Sequence, residues 1–147
     1  MNDIAAALGQ RIEARSSRVG VIGLGYVGLP LAVAFAEAGF PVIGVDADAD
    51  RIGRLGRGSS PVEDVPDHRL APLVRGKRLV VTGSIEALGE ADAILICVPT
   101  PLSKSKEPDI TAHPEFDAGR LVQQARLVLD TRNLTGGLGP HPHVIRL

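Results

Sequence analysis

One stretch, VGVIGLGYVGLPLAVAFAEAGFPVIGVD from Val19 to Asp46, limits the fold of this chain more than any other. It runs from a β-branched apolar segment through a glycine-rich turn into an alanine-rich segment, and then into a second apolar run. The pattern predicts strand, helix, strand. Pro30 suits the first turn of the helix, where its missing N–H loses no intrahelical partner, and Gly39 suits a left-handed residue that ends it.

Gly23, Gly25 and Gly28 form a G-x-G-x-x-G pattern between the first predicted strand and the helix. Gly23 permits a tight turn, Gly25 places no side chain against a pyrophosphate, and Gly28 lets the helix approach the strand. The start of the helix would present free N–H groups and a partial positive charge to the phosphates. We therefore predict a dinucleotide site at this turn.

Asp46 lies 18 positions after Gly28, at the end of the next predicted strand. An acid there accepts hydrogen bonds from the adenosine ribose hydroxyls and repels a 2′-phosphate, so the pattern favours NAD over NADP. In the alternative interpretation the glycines are ordinary tight turns and Asp46 caps a helix; it is disfavoured because strand, turn, helix and acid occur together. Arg51 is left open between contact with the adenine and a solvated position.

The rest of the chain continues the alternation of strands and helices and predicts an α/β fold, a Rossmann-like doubly wound parallel sheet. The N-terminal residues 1–17 read as an amphipathic helix, and the proline-rich stretch after Pro99 as a loop. The later predicted elements are a helix capped by Asp48 through Leu55, a short helix His68–Val74, a strand KRLVVTG, a helix SIEAL capped by Ser84, a strand DAILICVP, a helix Phe116–Ala125, a strand Arg126–Asp130 and an edge strand VIRL.

Composition narrows the possible partners and compartments. With 147 residues and a net charge of -1, the chain has the size of one domain and no positive field to attract nucleic acid or an anionic membrane. No apolar stretch approaches the roughly 20 residues that span a bilayer. Asp3 and Glu13 argue against a signal or transit peptide, and a single cysteine fits a reducing compartment, so we expect a cytoplasmic protein.

No catalytic or metal-binding group is predicted from the residues themselves. Cys97 lies in the apolar run AILICVP, where a thiol is usually a small buried hydrophobe with a raised pKa. The histidines have no zinc spacing and are expected at the surface. They are His68, His113, His141 and His143.

The words GLGYVGLPLA, GVDAD, SPVEDVP and ICVPTPL together resemble the N-terminal domain of the UDP-glucose and UDP-N-acetylhexosamine 6-dehydrogenases. The similarity covers Arg18 to about Ile110, and PVEDVP is more similar to the N-acetylhexosamine branch. The resemblance implies oxidation of a sugar C6 alcohol to a carboxylate with NAD. It also implies an NAD site lined by Gly23, Gly25, Tyr26, Val27, Gly28, Asp46, Arg51, Pro99 and Thr100.

The chain resembles a family member from which a large internal segment is missing. Residues 18–110 resemble the NAD-binding domain, whereas 111–147 resemble the last part of the family's UDP-binding domain, with Arg132 as a substrate-phosphate contact. Nothing matches the family's catalytic cysteine motif or the helix that carries its lysine. We expect the second segment to complete the sheet of the first.

Three functional hypotheses follow. The chain is a UDP-sugar dehydrogenase by descent, or a module that binds NAD without catalysis, or a fold remnant whose exposed apolar surface drives homo-oligomerisation. Because the cysteine and lysine of the reaction are missing, we favour the NAD-binding module and predict no complete oxidation by this chain.

Overall fold

A computed structural model describes residues 2–98, 117–130 and 135–146 of the chain. In these residues six strands alternate with helices. The elements in chain order are α1 Asn2–Glu13, β1 Val19–Ile22, α2 Gly28–Glu37, β2 Val42–Val45, α3 Ala49–Gly56, α4 Asp67–Arg75, β3 Leu79–Thr82, a 3-10 helix Ile85–Glu90, β4 Ala93–Ile96, α5 Ala118–Gln124, β5 Val128–Asp130, a second 3-10 helix Gly136–Leu138 and β6 Val144–Arg146.

The six strands form one parallel sheet in the order β3-β2-β1-β4-β5-β6. Gly20 of the central strand β1 is aligned with Ile43 of β2 on one side and with Ile94 of β4 on the other. The strand order reverses between β1 and β4, and ligands of doubly wound sheets bind at the carboxyl ends of the strands beside such a reversal. The predicted Rossmann-like fold is confirmed.

Alternate residues of the central strands contribute to two apolar cores on opposite faces of the sheet. Val21 of β1 is fully buried in a cluster that includes Leu29 of α2 and Leu70 of α4. Its neighbour Ile22 belongs to a second cluster, which includes Leu88 of the first 3-10 helix and Leu121 of α5. The helices on both faces therefore fix β1, and with it the turn that follows β1.

The predicted helix boundaries around this turn are confirmed. Gly39 ends α2 with a φ of 101°, in the left-handed region, and the N–H of Phe40 donates to the carbonyl of Phe35 at 3.1 Å. Asp48 caps α3 by accepting hydrogen bonds from the backbone N–H groups of Asp50 and Arg51.

The predicted helix after Ser84 is present, but its predicted side-chain cap at Ser84 is wrong. Residues Ile85–Glu90 form a 3-10 helix, and the Ser84 hydroxyl donates to the Glu86 carboxylate at 2.6 Å and makes no cap hydrogen bond. A segment of six residues is too short for a cooperative α-helix, and 3-10 geometry is common in such connections. The Ser84 hydrogen bond holds the pKa of Glu86 below its usual value.

The C-terminal elements extend the same sheet. Asp117 caps α5 by accepting from the N–H of Arg120 at 2.9 Å, and β5 pairs in parallel with β4. The predicted edge strand is present as β6, next to β5. Residues 99–116 lie outside the described residues, and both the domain boundary at residue 110 and the origin of the segment after it stay predictions.

The predicted N-terminal helix is present as α1 and is attached by one buried carboxylate. Arg11 of α1 donates to Asp92 at 2.7 Å, and the N–H of Arg18 donates to the other oxygen of Asp92 at 2.8 Å. Ile4 and Ile12 remain exposed, so α1 packs only loosely on the domain. Within the described residues, every helix is too short or too polar to cross a membrane.

Candidate functional site

Two of the motif glycines are required by close backbone packing after β1. Gly23 has a φ of 88°, and a Cβ at this position would lie 2.9 Å from the backbone of Cys97. A Cβ at Gly28 would lie 1.6 Å from the carbonyl oxygen of Gly23. The turn therefore folds back tightly against both β4 and the start of α2, which any side chain at these two positions would prevent.

Gly25 has the opposite surroundings. A Cβ built on it meets no atom within 4 Å, so the space beside the turn is open at this point. The next two side chains, those of Tyr26 and Val27, are exposed. The turn is thus closely packed toward the sheet and open on its outer side, where a phosphate group has room to approach the backbone.

The start of α2 offers unpaired hydrogen-bond donors toward this open side. The N–H of Leu29 donates to the carbonyl of Gly25, and Val27 provides no side-chain cap. Among the residues that the structure describes, no acceptor pairs with the N–H groups of Tyr26, Val27 and Gly28. Free N–H groups at the positive end of a helix dipole are the donors that bind phosphate oxygens.

Asp46 lies directly after β2 with its carboxylate mostly buried, at 7% exposure. One carboxylate oxygen, Oδ2, accepts from the N–H of Leu24 at 2.8 Å and from the guanidinium of Arg51 at 2.9 Å. The other oxygen, Oδ1, accepts from the N–H of Asp48 at 2.9 Å. A carboxylate accepts about four hydrogen bonds, so one acceptor position of Asp46 remains.

The hydrogen bonds to Asp46 keep it ionised. Burial alone raises the pKa of Asp46, but the N–H groups of Asp48 and Leu24 and the guanidinium of Arg51 outweigh that effect and lower the pKa below its usual value. The site therefore combines free backbone donors for phosphate with an ionised acceptor for hydroxyl groups. These are the two chemistries that the diphosphate and the adenosine ribose of a dinucleotide require.

The sequence left Arg51 open between a contact with the adenine and a solvated side chain, and the structure shows an ion pair with Asp46. Its guanidinium is half-buried and pairs with Asp46 at 2.9 Å, so it is not simply solvated. A second carboxylate, that of Asp48, lies 3.9 Å away. A contact with the adenine stays a prediction.

Several predicted site residues are not brought into this arrangement. Pro99, Thr100 and Arg132 lie outside the described residues. Cys97 is buried at 5% exposure behind the glycine turn, where its thiol is shielded from a substrate. No metal ion is suggested by residues 2–98, 117–130 and 135–146, which contain no cluster of three potential ligands.

The expectation of surface histidines holds for only some of them. His68 is exposed, as predicted, whereas His143 is half-buried, and its Nε2 lies 2.6 Å from the carbonyl oxygen of Val122 in α5. His141 is half-buried as well, so both C-terminal histidines are only partly exposed, and the return of the chain into β6 brings the His143 ring against α5. His113 lies outside the described residues.

The sequence analysis missed Leu24 as a member of the site. Its apolar side chain is fully buried, but its backbone N–H is the group that donates to Asp46. No residue type signals such a contact, because every residue except proline carries an N–H. Only the meeting of β1 and β2 at one edge of the sheet reveals it.

The fold and this site define the class: a Rossmann-like dinucleotide-binding domain with its glycine turn after β1 and its acid after β2. The sequence profile of the UDP-glucose/GDP-mannose dehydrogenase family, NAD binding domain, matches residues 17–124. The chain belongs to this family, and NAD is the cofactor of the matched domain. The predicted resemblance and the predicted cofactor are confirmed.

Relatives from bacteria share this part of the chain. The UDP-N-acetyl-D-mannosamine dehydrogenase of Escherichia coli K12 is 45% identical over 96 residues, which are 63% of this chain and 22% of that protein. The UDP-N-acetyl-D-glucosamine 6-dehydrogenase of Pseudomonas aeruginosa is 37% identical over 114 residues, which are 76% of this chain and 26% of that protein.

Solved structures give the same assignment. The UDP-D-ManNAc dehydrogenase of Pyrococcus horikoshii superimposes with a TM-score of 0.69 at 30% identity, over 88% of this chain and 35% of that one. The chain thus spans about a quarter of the length of the curated relatives it matches and about a third of this solved structure. The family is shown, and the activity of the longer relatives is a separate question.

Proposed function

We propose that this chain binds NAD at the glycine turn after β1. The observation that carries the proposal is the open space at Gly25, which lies beside the unpaired N–H groups at the start of α2. Gly23, Gly25, Tyr26, Val27 and Gly28 would surround the diphosphate, and Asp46 would accept from the ribose. Arg51, Pro99 and Thr100 are carried over as cofactor contacts from the family resemblance.

Asp46 would discriminate against NADP. Its carboxylate is ionised and has one acceptor position left, which suits one ribose hydroxyl. A second hydroxyl could bind if the Arg51 guanidinium released Oδ2. A 2′-phosphate would instead bring negative charge against the carboxylate, which is unfavourable when both groups are desolvated.

We further propose that this chain alone does not complete the oxidation of a UDP-sugar. The names of the relatives suggest a UDP-N-acetylhexosamine as the family substrate, and two-step oxidation by such enzymes needs an accessible thiolate. Cys97 is buried against the glycine turn and does not meet that need. Substrate contact by Arg132 and the assignment of residues 111–147 to a UDP-binding remnant belong to the same proposal.

The test is calorimetric titration of NAD and NADP into the whole chain and two glycine variants. Gly25→Val fills the open space at the turn and should abolish NAD binding. Gly9→Val is the matched control, because Gly9 also has no atom within 4 Å of its Cβ position but belongs to α1 and not to the turn. It should leave NAD binding unchanged. Equal NAD affinity in Gly25→Val would contradict the proposed site. Conversion of a UDP-N-acetylhexosamine to its C6 carboxylate, with two NAD reduced per sugar, would contradict the proposed inability to complete the oxidation.

A further inference from the structure

The buried carboxylate of Asp46 touches the glycine turn itself. Its Oδ2 atom accepts from the N–H of Leu24, the residue between the first two motif glycines, at 2.8 Å. Leu24 is fully buried, so this N–H has no access to water as an alternative partner. The carboxylate after β2 is therefore a direct support of the turn after β1.

The support is rigid on the carboxylate side as well. Asp46 is held from α3 by the N–H of Asp48 at 2.9 Å and by the guanidinium of Arg51 at 2.9 Å. The N–H of Asp46 donates to the carbonyl of Thr82 in β3 at 3.2 Å. The turn is thus connected through one residue to α3 and β3: the Asp46 carboxylate reaches α3, and its backbone N–H reaches β3.

The side chain of Leu24 is held in place independently of this hydrogen bond. A Cβ built on Gly44 of β2 would lie 2.9 Å from the terminal methyl groups of Leu24, so Leu24 packs closely over β2. Packing holds the side chain, and the Asp46 carboxylate holds the N–H on the same residue. Together they fix the peptide between Gly23 and Gly25, whose position decides where a diphosphate meets the backbone.

We infer that Asp46 is a positioning residue for the diphosphate as well as a ribose acceptor: through the N–H of Leu24 it holds the glycine turn in the conformation that receives the phosphates. This inference rests on the proposed NAD site. It adds to the ribose contact an indirect role in diphosphate binding, which Asp46 exerts through the backbone of the turn.

The first test needs no ligand and concerns the hydrogen bond alone. In two-dimensional NMR spectra, the Leu24 amide proton should titrate with the protonation of Asp46 and exchange slowly with solvent at neutral pH. Arg51 and the backbone of Asp48 are the charged or donor groups from α3 that face this carboxylate. In Asp46→Ala the Leu24 titration should vanish and its exchange should accelerate by about tenfold, the loss of one hydrogen bond to a charged group.

Asp48→Ala is the matched control. It removes the same charge two residues away and breaks the α3 cap, but the side chain of Asp48 makes no hydrogen bond to the turn among the described residues. Leu24 should therefore keep its titration and its slow exchange in this variant. A Leu24 amide that is unchanged in Asp46→Ala would overturn the inference, whether or not the chain binds NAD.

The second test separates ribose from phosphate. Adenosine and ADP are titrated into the wild-type chain, Asp46→Ala and Asp48→Ala. The dissociation constant of adenosine divided by that of ADP measures how much affinity the phosphates add. If Asp46 also positions the turn, the ratio should fall by about fivefold in Asp46→Ala and stay constant in Asp48→Ala. A fall in adenosine affinity with an unchanged ratio would confine Asp46 to the ribose and overturn the inference.

The two tests distinguish a failure of the proposed NAD site from a failure of the positioning role of Asp46. If wild-type chain binds neither adenosine nor ADP, the proposed NAD site is wrong, while the Leu24 titration still reports whether the carboxylate supports the turn. If both ligands bind and the Leu24 amide is insensitive to Asp46, the NAD site stands and the positioning role is lost. The unfolding midpoint of each variant in urea shows that the compared chains are folded.

Discussion

The motif glycines differ in what surrounds them, and this difference could be only partly predicted from sequence. The pattern and its spacing correctly indicated a turn at Gly23 and close approach at Gly28. They also indicated the acid at Asp46. They could not show that Asp46 contacts the N–H of Leu24, because that contact depends on the register of β1 against β2 and not on residue type.

Gly28 and Gly25 should respond oppositely to the same substitution. Gly28→Ala places a Cβ 1.6 Å from the Gly23 carbonyl oxygen, so α2 must move, and we expect a loss of about 4 kcal/mol or more in the free energy of unfolding. Gly25→Ala meets no atom within 4 Å and should change that free energy by less than about 0.5 kcal/mol while weakening NAD binding. Urea unfolding and NAD titration of both variants measure the contrast, and equal stability losses would contradict it.

Asp46 should make stability depend on pH on the acid side. Its pKa is lowered in the folded chain, so its hydrogen bonds contribute stability above the pKa of the unfolded chain, about 4, and that contribution is lost as the pH falls through the lower folded value. Asp46→Asn should therefore be less stable than wild type at neutral pH, and the gap should narrow below about pH 4. Urea unfolding of both chains across this range is the measurement; a gap independent of pH would contradict the prediction.

At the scale of elements, long periodic segments were predicted well and short connections were not. The helix ends at Gly39 and Asp48 follow from local backbone preference and side-chain capping, which the sequence displays directly. The helix Ile85–Glu90 was predicted but its 3-10 geometry was not, because six residues carry too little periodicity to separate a 3-10 helix from an α-helix. The attachment of α1 through Asp92 joins residues 81 positions apart and has no local signal.

Asp92 should be the residue on which the attachment of α1 depends. Asp92→Asn leaves one carbonyl oxygen where two oxygens accepted from Arg11 and from the N–H of Arg18, so we expect a loss of about 2 kcal/mol in the free energy of unfolding. Glu90→Gln is the control, because Glu90 is an exposed partner of Arg18 and its loss should cost less than about 0.5 kcal/mol. Similar midpoints of thermal unfolding for the two variants would contradict this assignment.

At the scale of the whole molecule, the C-terminal elements share the sheet and core of the N-terminal ones. β5 pairs with β4, and Val128 of β5 is fully buried in the cluster that contains Ile22 of β1. The doubly wound class could be predicted from sequence because strand and helix patterns alternate. The pairing of β4 with β5, which joins residues of different family resemblance, could only be hypothesised, since pairing is a long-range contact that no local pattern fixes.

A shared core predicts that the described parts of the chain unfold together. Val128→Ala removes buried methyl groups from the C-terminal strand β5 and should lower the free energy of unfolding by about 2 kcal/mol. If β5 belongs to the same cooperative unit as β1 to β4, this loss should shift the whole calorimetric transition, with calorimetric and van't Hoff enthalpies equal. Val80→Ala is the matched control on the exposed side of β3 and should shift the transition by less than about 0.5 kcal/mol. Two separate transitions, of which Val128→Ala moves only one, would show that the C-terminal segment folds as its own unit and that the strands after β4 do not stabilise the NAD site.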